Sequence, residues 1–109
     1  MDTLMIGWTT TETIDQAQVL AKGLVEKRLA ACVQVEGPVL SHYLWEGTHR
    51  DSDEYRLMVK FLKGNSTAVE TWLMENHPYD TPQWVAVQAA QTQANYLAWA
   101  QSVAPTKGI

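Results

Sequence analysis

The chain has 109 residues, of which 46% are hydrophobic and 18% are charged, and its formal net charge is −4. This length and composition predict one globular domain spanning residues 1–109. The acidic balance leaves no basic stripe for phosphate groups, which argues against nucleic acid as a partner. No apolar run approaches the roughly 20 residues that a membrane-spanning helix needs, so a membrane is not an expected partner either.

The single cysteine, Cys32, excludes a disulfide within the chain. The first residues, MDTLMIGW, have neither the positive charge nor the small-residue cleavage site of a signal peptide. Together these two observations predict a location in the reducing cytoplasm.

The first quarter of the chain reads as a strand followed by a helix. Residues 3–9 are apolar and short, as in a strand. Thr13 and Gln16 then have the spacing of a capping box, which predicts the start of an amphipathic helix that runs to about Leu29.

Two longer stretches with alternating polarity follow, at residues 31–47 and 54–62. Gly37-Pro38 interrupts the first of them, and because proline donates no ladder hydrogen bond, we expect a bulge or bend there. The polar residues 47–53 predict the chain reversal between the two strands. The resulting hairpin is longer than a small sheet needs, and its edges are available for pairing with another chain.

The rest of the sequence predicts a helix, a strand and a final helix. Residues 63–77 have cap candidates at positions 65–67, and Pro78 ends the helix because the residue before a proline is disfavoured in the helical region. A strand at 83–89 and a helical segment at 94–103 follow. With right-handed crossovers, this order predicts an α+β fold, the ferredoxin-like βαββαβ antiparallel sandwich with helices on one face and an extra C-terminal helix.

Cys32 and His77 are the candidate metal ligands, since a thiolate and an imidazole suit copper and related ions. Each also has a structural interpretation: a lone cysteine is often a small buried hydrophobic residue, and a histidine at a helix end meets the negative pole of the helix dipole. His49 is expected to be solvated in the polar turn, and His42 to be packed at an interface.

Four stretches in this order resemble the CutA family, which is named for tolerance of divalent cations. They are RLAACV at 28–33, YLWEG at 43–47, EYRLMVK at 54–60 and HPYDTP at 77–82, with YLAW at 96–99 as a weaker fifth. The similarity runs in register over about residues 4–103. It implies a tight homotrimer joined through long hairpin strands, and an association with copper and other divalent cations, but no established reaction.

The resemblance also implies a set of pocket or interface residues, namely Tyr43, Trp45, Lys60 and Tyr79. Glu54 lies an even number of residues from Lys60, so the two share a strand face. This pair is consistent with an anion site or with an ion pair at the sheet edge.

The sequence departs from the family pattern at Phe61, Gln83 and Trp84. Gln83 stands where glutamate is common, so a role of that glutamate in holding a cation is in question here. No nucleophile with its base and no glycine-rich phosphate loop is present, so the residues do not predict an enzyme. A small-molecule sensor resembling the PII signalling trimers and a trimeric scaffold for a protein partner are the alternative functions.

Overall fold

The structure, a computed structural model, describes residues 2–107. Its elements in chain order are β1 (Leu4–Thr11), α1 (Ile14–Glu26), β2 (Cys32–Trp45), β3 (Thr48–Leu62), a 3₁₀ turn (Lys63–Asn65), α2 (Ser66–Asn76), β4 (Val85–Gln88) and α3 (Ala94–Val103). The sheet order is β2-β3-β1-β4, and all three strand pairs are antiparallel. This arrangement confirms the predicted ferredoxin-like fold with an extra C-terminal helix. None of the helices in residues 2–107 is long and apolar enough to cross a membrane.

The two faces of the sheet have separate cores. Leu57, Val59 and Phe61 of β3 alternate onto one face, where they are at most 1% exposed and pack against the apolar sides of α1 and α2. Leu4 and Leu62 point to the opposite face and pack against Ala100 and Ala104 in and after α3. The C-terminal helix therefore covers one end of the face that α1 and α2 leave open.

The start of α1 is as the sequence predicts, but its end is earlier. The Thr13 hydroxyl accepts from the Gln16 amide at 3.1 Å, and the Gln16 side chain accepts from the Thr13 amide at 3.2 Å, which completes the capping box. The helix ends at Glu26 and not near Leu29, because Arg28 adopts a left-handed conformation with φ 57°.

The long hairpin is confirmed, whereas its predicted turn is wrong. The β2–β3 register shifts between Glu36 and Val39, which is the bulge expected at Gly37-Pro38. The reversal occupies only Glu46 and Gly47, both with positive φ, and pairing resumes at once. Such a two-residue turn matches the twist of the strands, so residues 48–53 continue β3 despite their polarity.

The hairpin extends far beyond the rest of the sheet. Pairing of β1 with β3 stops at Thr11 and Tyr55, whereas β2 and β3 form seven further pairs, from Val39–Glu54 to Trp45–Thr48. We call residues 39–54 the ribbon. It contributes to an elongated shape of 45 × 26 × 23 Å.

The candidate positions 65–67 include the N-cap residue of α2, but the expected side-chain cap is absent. Asn65 occupies the N-cap position without a side-chain capping bond. It is buried instead, and its amide donates to the Pro105 carbonyl at 3.2 Å and accepts from the Lys107 amide at 2.9 Å. Asn65 therefore holds the segment after α3, while the predicted end of α2 before Pro78 is confirmed.

Two of the departures from the family pattern contact each other. The rings of Phe61 and Trp84 lie 5.8 Å apart between centroids and are tilted by 33°. The Trp84 indole also covers Gly7 so closely that a Cβ atom at Gly7 would overlap it. The indole at position 84 thus fits against β1 because Gly7 has no side chain.

We predict that Gly7→Ala lowers the free energy of unfolding by about 1–3 kcal/mol, because the added methyl group displaces the Trp84 ring. In a Trp84→Val background the same substitution should have little effect, since the overlapping ring is gone. Denaturant unfolding of the four proteins at one protein concentration measures this coupling. An equal loss of stability in both backgrounds would contradict the packing described.

Candidate functional site

The HPYDTP segment meets the end of β1 at the base of the ribbon. His77 and Tyr79 come from this segment, Thr9 and Thr10 from β1, and Glu54 from β3. We call the linked side chains of His77, Tyr79 and Glu54 the base cluster. It brings together two of the predicted pocket residues, Glu54 and Tyr79, with one of the predicted metal ligands.

Both ring nitrogens of His77 already have hydrogen-bond partners. Nε2 lies 2.9 Å from the Thr10 carbonyl and 3.0 Å from the Thr9 hydroxyl, and the Tyr79 amide donates to Nδ1 at 3.1 Å. Because a carbonyl only accepts, Nε2 carries the hydrogen and Nδ1 is unprotonated. A cation therefore reaches His77 only by displacing one of these bonds, and the contacts favour the structural interpretation of this residue.

Burial also keeps the His77 ring neutral. The residue is 9% exposed, and this desolvation lowers its pKa below the usual 6.5, although the Thr10 carbonyl and the Glu54 charge act in the opposite direction. The Tyr79 amide, which faces Nδ1, further disfavours a second ring hydrogen. His77 is consequently an uncharged link between β1 and the segment after α2.

Tyr79 connects His77 to the ribbon. Its ring lies 4.9 Å from the His77 ring, and its hydroxyl donates to the Glu54 carboxylate at 2.7 Å. Burial, and then the hydrogen bond and charge of Glu54, raise the pKa of the Tyr79 phenol well above its ordinary value, with smaller effects from Glu12 and Tyr43. The phenol therefore remains a donor at neutral pH and holds the base of the ribbon.

The polar groups of the base cluster are hydrogen-bonded to one another and to the backbone. Across residues 2–107, no buried side-chain nitrogen or oxygen lacks a hydrogen-bond partner, so no unpaired polar group points into a cavity. The hydroxyl next to the imidazole is that of Thr9, and because Nε2 of His77 carries a hydrogen, this nitrogen does not accept the hydroxyl hydrogen as a general base would. The arrangement of the cluster joins three segments of the chain, which is a structural role.

Cys32 lies away from the base cluster. It is a half-buried free thiol at the start of β2 and pairs with Lys60, which faces away from the core side of Leu57. Thr9, which His77 contacts, pairs with Leu57 and so lies on the core side. Within one protomer, Cys32 and His77 are on opposite sides of the sheet and do not form a closed copper site.

Within residues 2–107, metal-ligating side chains do not cluster at any other place either. In the part of the chain that the structure describes, no group of three or more histidine, cysteine, aspartate or glutamate side chains is arranged to hold a metal ion. One protomer alone therefore does not provide the complete ligand set that a tightly bound structural ion requires.

Lys60 and Glu54 do not form the ion pair that their shared face allows. Their sequence separation of six along the strand corresponds to about 20 Å. The Lys60 ammonium instead lies over the Tyr96 ring, 5.6 Å from its centroid. Among the described residues, the ion pair of the sheet joins Arg56 to Glu36, which sequence reasoning did not identify.

Tyr43 and Trp45 lie on one face of the ribbon, as the alternation predicts. They are 42% and 47% exposed, and the Tyr43 hydroxyl lies 3.3 Å from the Ser52 hydroxyl. The five predicted pocket residues are thus spread over the structure: Glu54 and Tyr79 are in contact, Tyr43 is close to them, and Trp45 and Lys60 are remote.

We predict that His77 makes the stability of the protein pH-dependent. Because its pKa is lowered by folding, the unfolded chain takes up the proton first as the pH falls, so this contribution is complete above about pH 6.5 and is lost as the pH falls through the folded-state pKa. Denaturant unfolding between about pH 8 and pH 5 should show a steeper decrease for the wild type than for His77→Gln, which does not titrate.

If the free energy of unfolding fell equally steeply with decreasing pH in the wild type and in His77→Gln, the prediction would be contradicted, because folding would then not change the protonation of His77.

Comparison with known proteins relates this fold to one family. The family described as CutA1 divalent ion tolerance protein matches residues 5–103. The divalent-cation tolerance protein CutA of Pectobacterium atrosepticum is 37% identical over 83 residues, which is 76% of this chain and 76% of that protein.

Solved structures agree with the sequence comparison. The divalent cation tolerance protein of Thermus thermophilus has a TM-score of 0.87 at 30% identity, covering 96% of this chain and 99% of that chain. A structure described as the periplasmic divalent cation tolerance protein CutA from Archaeoglobus fulgidus has a TM-score of 0.89 at 28% identity, covering 93% of this chain and 98% of that one. The chain therefore belongs to the CutA1 divalent ion tolerance family.

Proposed function

We propose that this chain is a homotrimeric, copper-binding member of the divalent-cation tolerance family and that it acts without catalysing a reaction. The observation that carries the proposal is the family match over residues 5–103, together with a free thiol at Cys32. Thiolate is the ligand that most favours copper(I) among protein side chains. The family is described by ion tolerance and not by a reaction.

The ribbon supports the trimer. Beyond Thr11, neither of its strands has a neighbour on its outer side among residues 2–107 of the protomer, so each presents unpaired backbone groups. Leu40 and Leu44 are 60% and 74% exposed on one face, while Tyr43 and Trp45 are half exposed on the other. A two-stranded ribbon is marginally stable by itself in water, and strands of other copies would pair with it and cover these side chains.

Trimer formation also gives the proposed copper ligands a way to combine. Three copies supply three thiols, and His77 is the proposed second ligand from a neighbouring copy, where it must give up the bond from the Tyr79 amide to Nδ1. We propose that this occurs in the cytoplasm, where Cys32 remains reduced.

Copper(I) titration under reducing conditions, in competition with a chelator, tests the proposal. The wild type should bind copper(I), Cys32→Ser should lose this binding, and His77→Gln should weaken it by about tenfold. Circular dichroism of the variants checks that the fold is retained.

Equal binding by all three proteins would remove Cys32 and His77 from the proposal. No copper binding by the wild type would contradict the copper function itself. A thermal-shift screen with nucleotides and metals then tests the two alternative functions. A ligand that raises the melting temperature would support the small-molecule sensor. No response to any ligand, together with capture of a specific protein, would support the scaffold.

A further inference from the structure

A groove lies between the end of α1 and α3, at the end of the sheet opposite the ribbon. It has a volume of about 310 Å³, and its apolar lining consists of Val25, Ala30, Ala31, Trp99 and Val103. The Ala31 amide donates to the Lys60 carbonyl, whereas the ribbon begins only at Val39. The groove is therefore separate from the ribbon surface that other copies of the chain cover.

Part of the apolar lining is open to a ligand. Trp99 and Val25 are each 43% exposed, whereas Ala30 and Ala31 are buried. The Trp99 ring lies 5.4 Å from the Tyr96 ring between centroids, and this contact restricts the orientation of the indole. An apolar ligand against Trp99 and Val25 would remove hydrophobic surface from water at little cost in side-chain entropy.

Arg28 places a positive charge in the groove. Its backbone is in the left-handed region with φ 57°, and its Nη1 group donates to the Val103 carbonyl at 3.1 Å. A guanidinium has five N–H groups, and within residues 2–107 this hydrogen bond is the only one that the Arg28 side chain makes. The other N–H groups are available to a carboxylate, whose geometry matches the planar guanidinium.

The charges around the groove favour a ligand with a single negative charge. Lys27 and Arg28 are exposed, and together they outweigh the Glu26 carboxylate, which also lines the groove. The carbonyl ends of α1 and α3 oppose an anion only weakly, because those of Leu24 and Val103 already accept hydrogen bonds. A doubly charged phosphate would be repelled more strongly by Glu26 than a carboxylate is.

We propose that the groove binds a small monocarboxylate with an apolar body, such as an aryl or short alkyl acid. The carboxylate accepts hydrogen bonds from Arg28, and the apolar body lies against Trp99 and Val25. Ligand sites usually have volumes of about 300–1,000 Å³, so this groove suits a ligand with a single ring. The inference goes beyond the proposed copper binding, since it uses neither Cys32 nor His77 and requires no metal.

Titration of the full-length protein with phenylacetate, followed by NMR of the tryptophan indole N–H groups, tests the site. The Trp99 signal, assigned with Trp99→Phe, should shift and saturate, whereas the signal of Trp45 on the ribbon should not move. Arg28→Gln should weaken binding by about tenfold or more, because it removes a charge-assisted hydrogen bond. Lys22→Gln removes an exposed positive charge of α1 outside the groove and should keep the wild-type affinity.

Because Arg28→Gln also removes the bond to Val103, phenylacetamide provides a second test in the unchanged protein. It has the same ring without the charge, so the wild type should bind it about tenfold or more weakly than phenylacetate. An unshifted Trp99 signal, or equal affinities for phenylacetate and phenylacetamide, would overturn the groove site. Equal binding of phenylacetate by the wild type and Arg28→Gln would overturn it as well. Copper(I) binding by Arg28→Gln should equal that of the wild type, so failure of the groove site leaves the proposed function unaffected.

Discussion

The length of the ribbon is the constraint on which the rest of this structure depends. Seven strand pairs continue beyond the end of β1, so the protein forms a sheet in one half and a bare two-stranded ribbon in the other. Backbone pairing within the ribbon satisfies only one side of each strand, and apolar side chains are exposed on both of its faces. Such a ribbon keeps one conformation when its base is anchored and its edges are paired.

The base cluster provides the anchor. The hydrogen bonds of His77 and Tyr79 connect the end of β1 to Glu54, which is the point where the ribbon leaves the sheet. This role accounts for the histidine and the tyrosine that follow α2. It also distinguishes the buried His77, which is engaged by backbone groups, from His42 and His49 on the ribbon, whose ring nitrogens lie 3.0 Å apart.

Local sequence patterns predicted most elements of the fold. The wrong predictions concern features that depend on how the strands are paired in register. Alternation and the Thr13 capping box are local signals, and so is the break at Pro78. In contrast, the polarity of residues 48–53 resembles a loop, and only the two-residue turn at Glu46 shows that they belong to a strand. That turn also fixes which residues face each other, so the contact between His42 and His49 and the separation of Cys32 from His77 were not readable from spacing alone.

The central claim is that other copies of the chain cover the ribbon, and the mass of the protein in solution tests it most directly. Sedimentation equilibrium at micromolar concentration should give three times the 12.3 kDa mass of one chain. A folded particle with the mass of one chain would contradict the account, because the ribbon would then be stable with its edges unpaired.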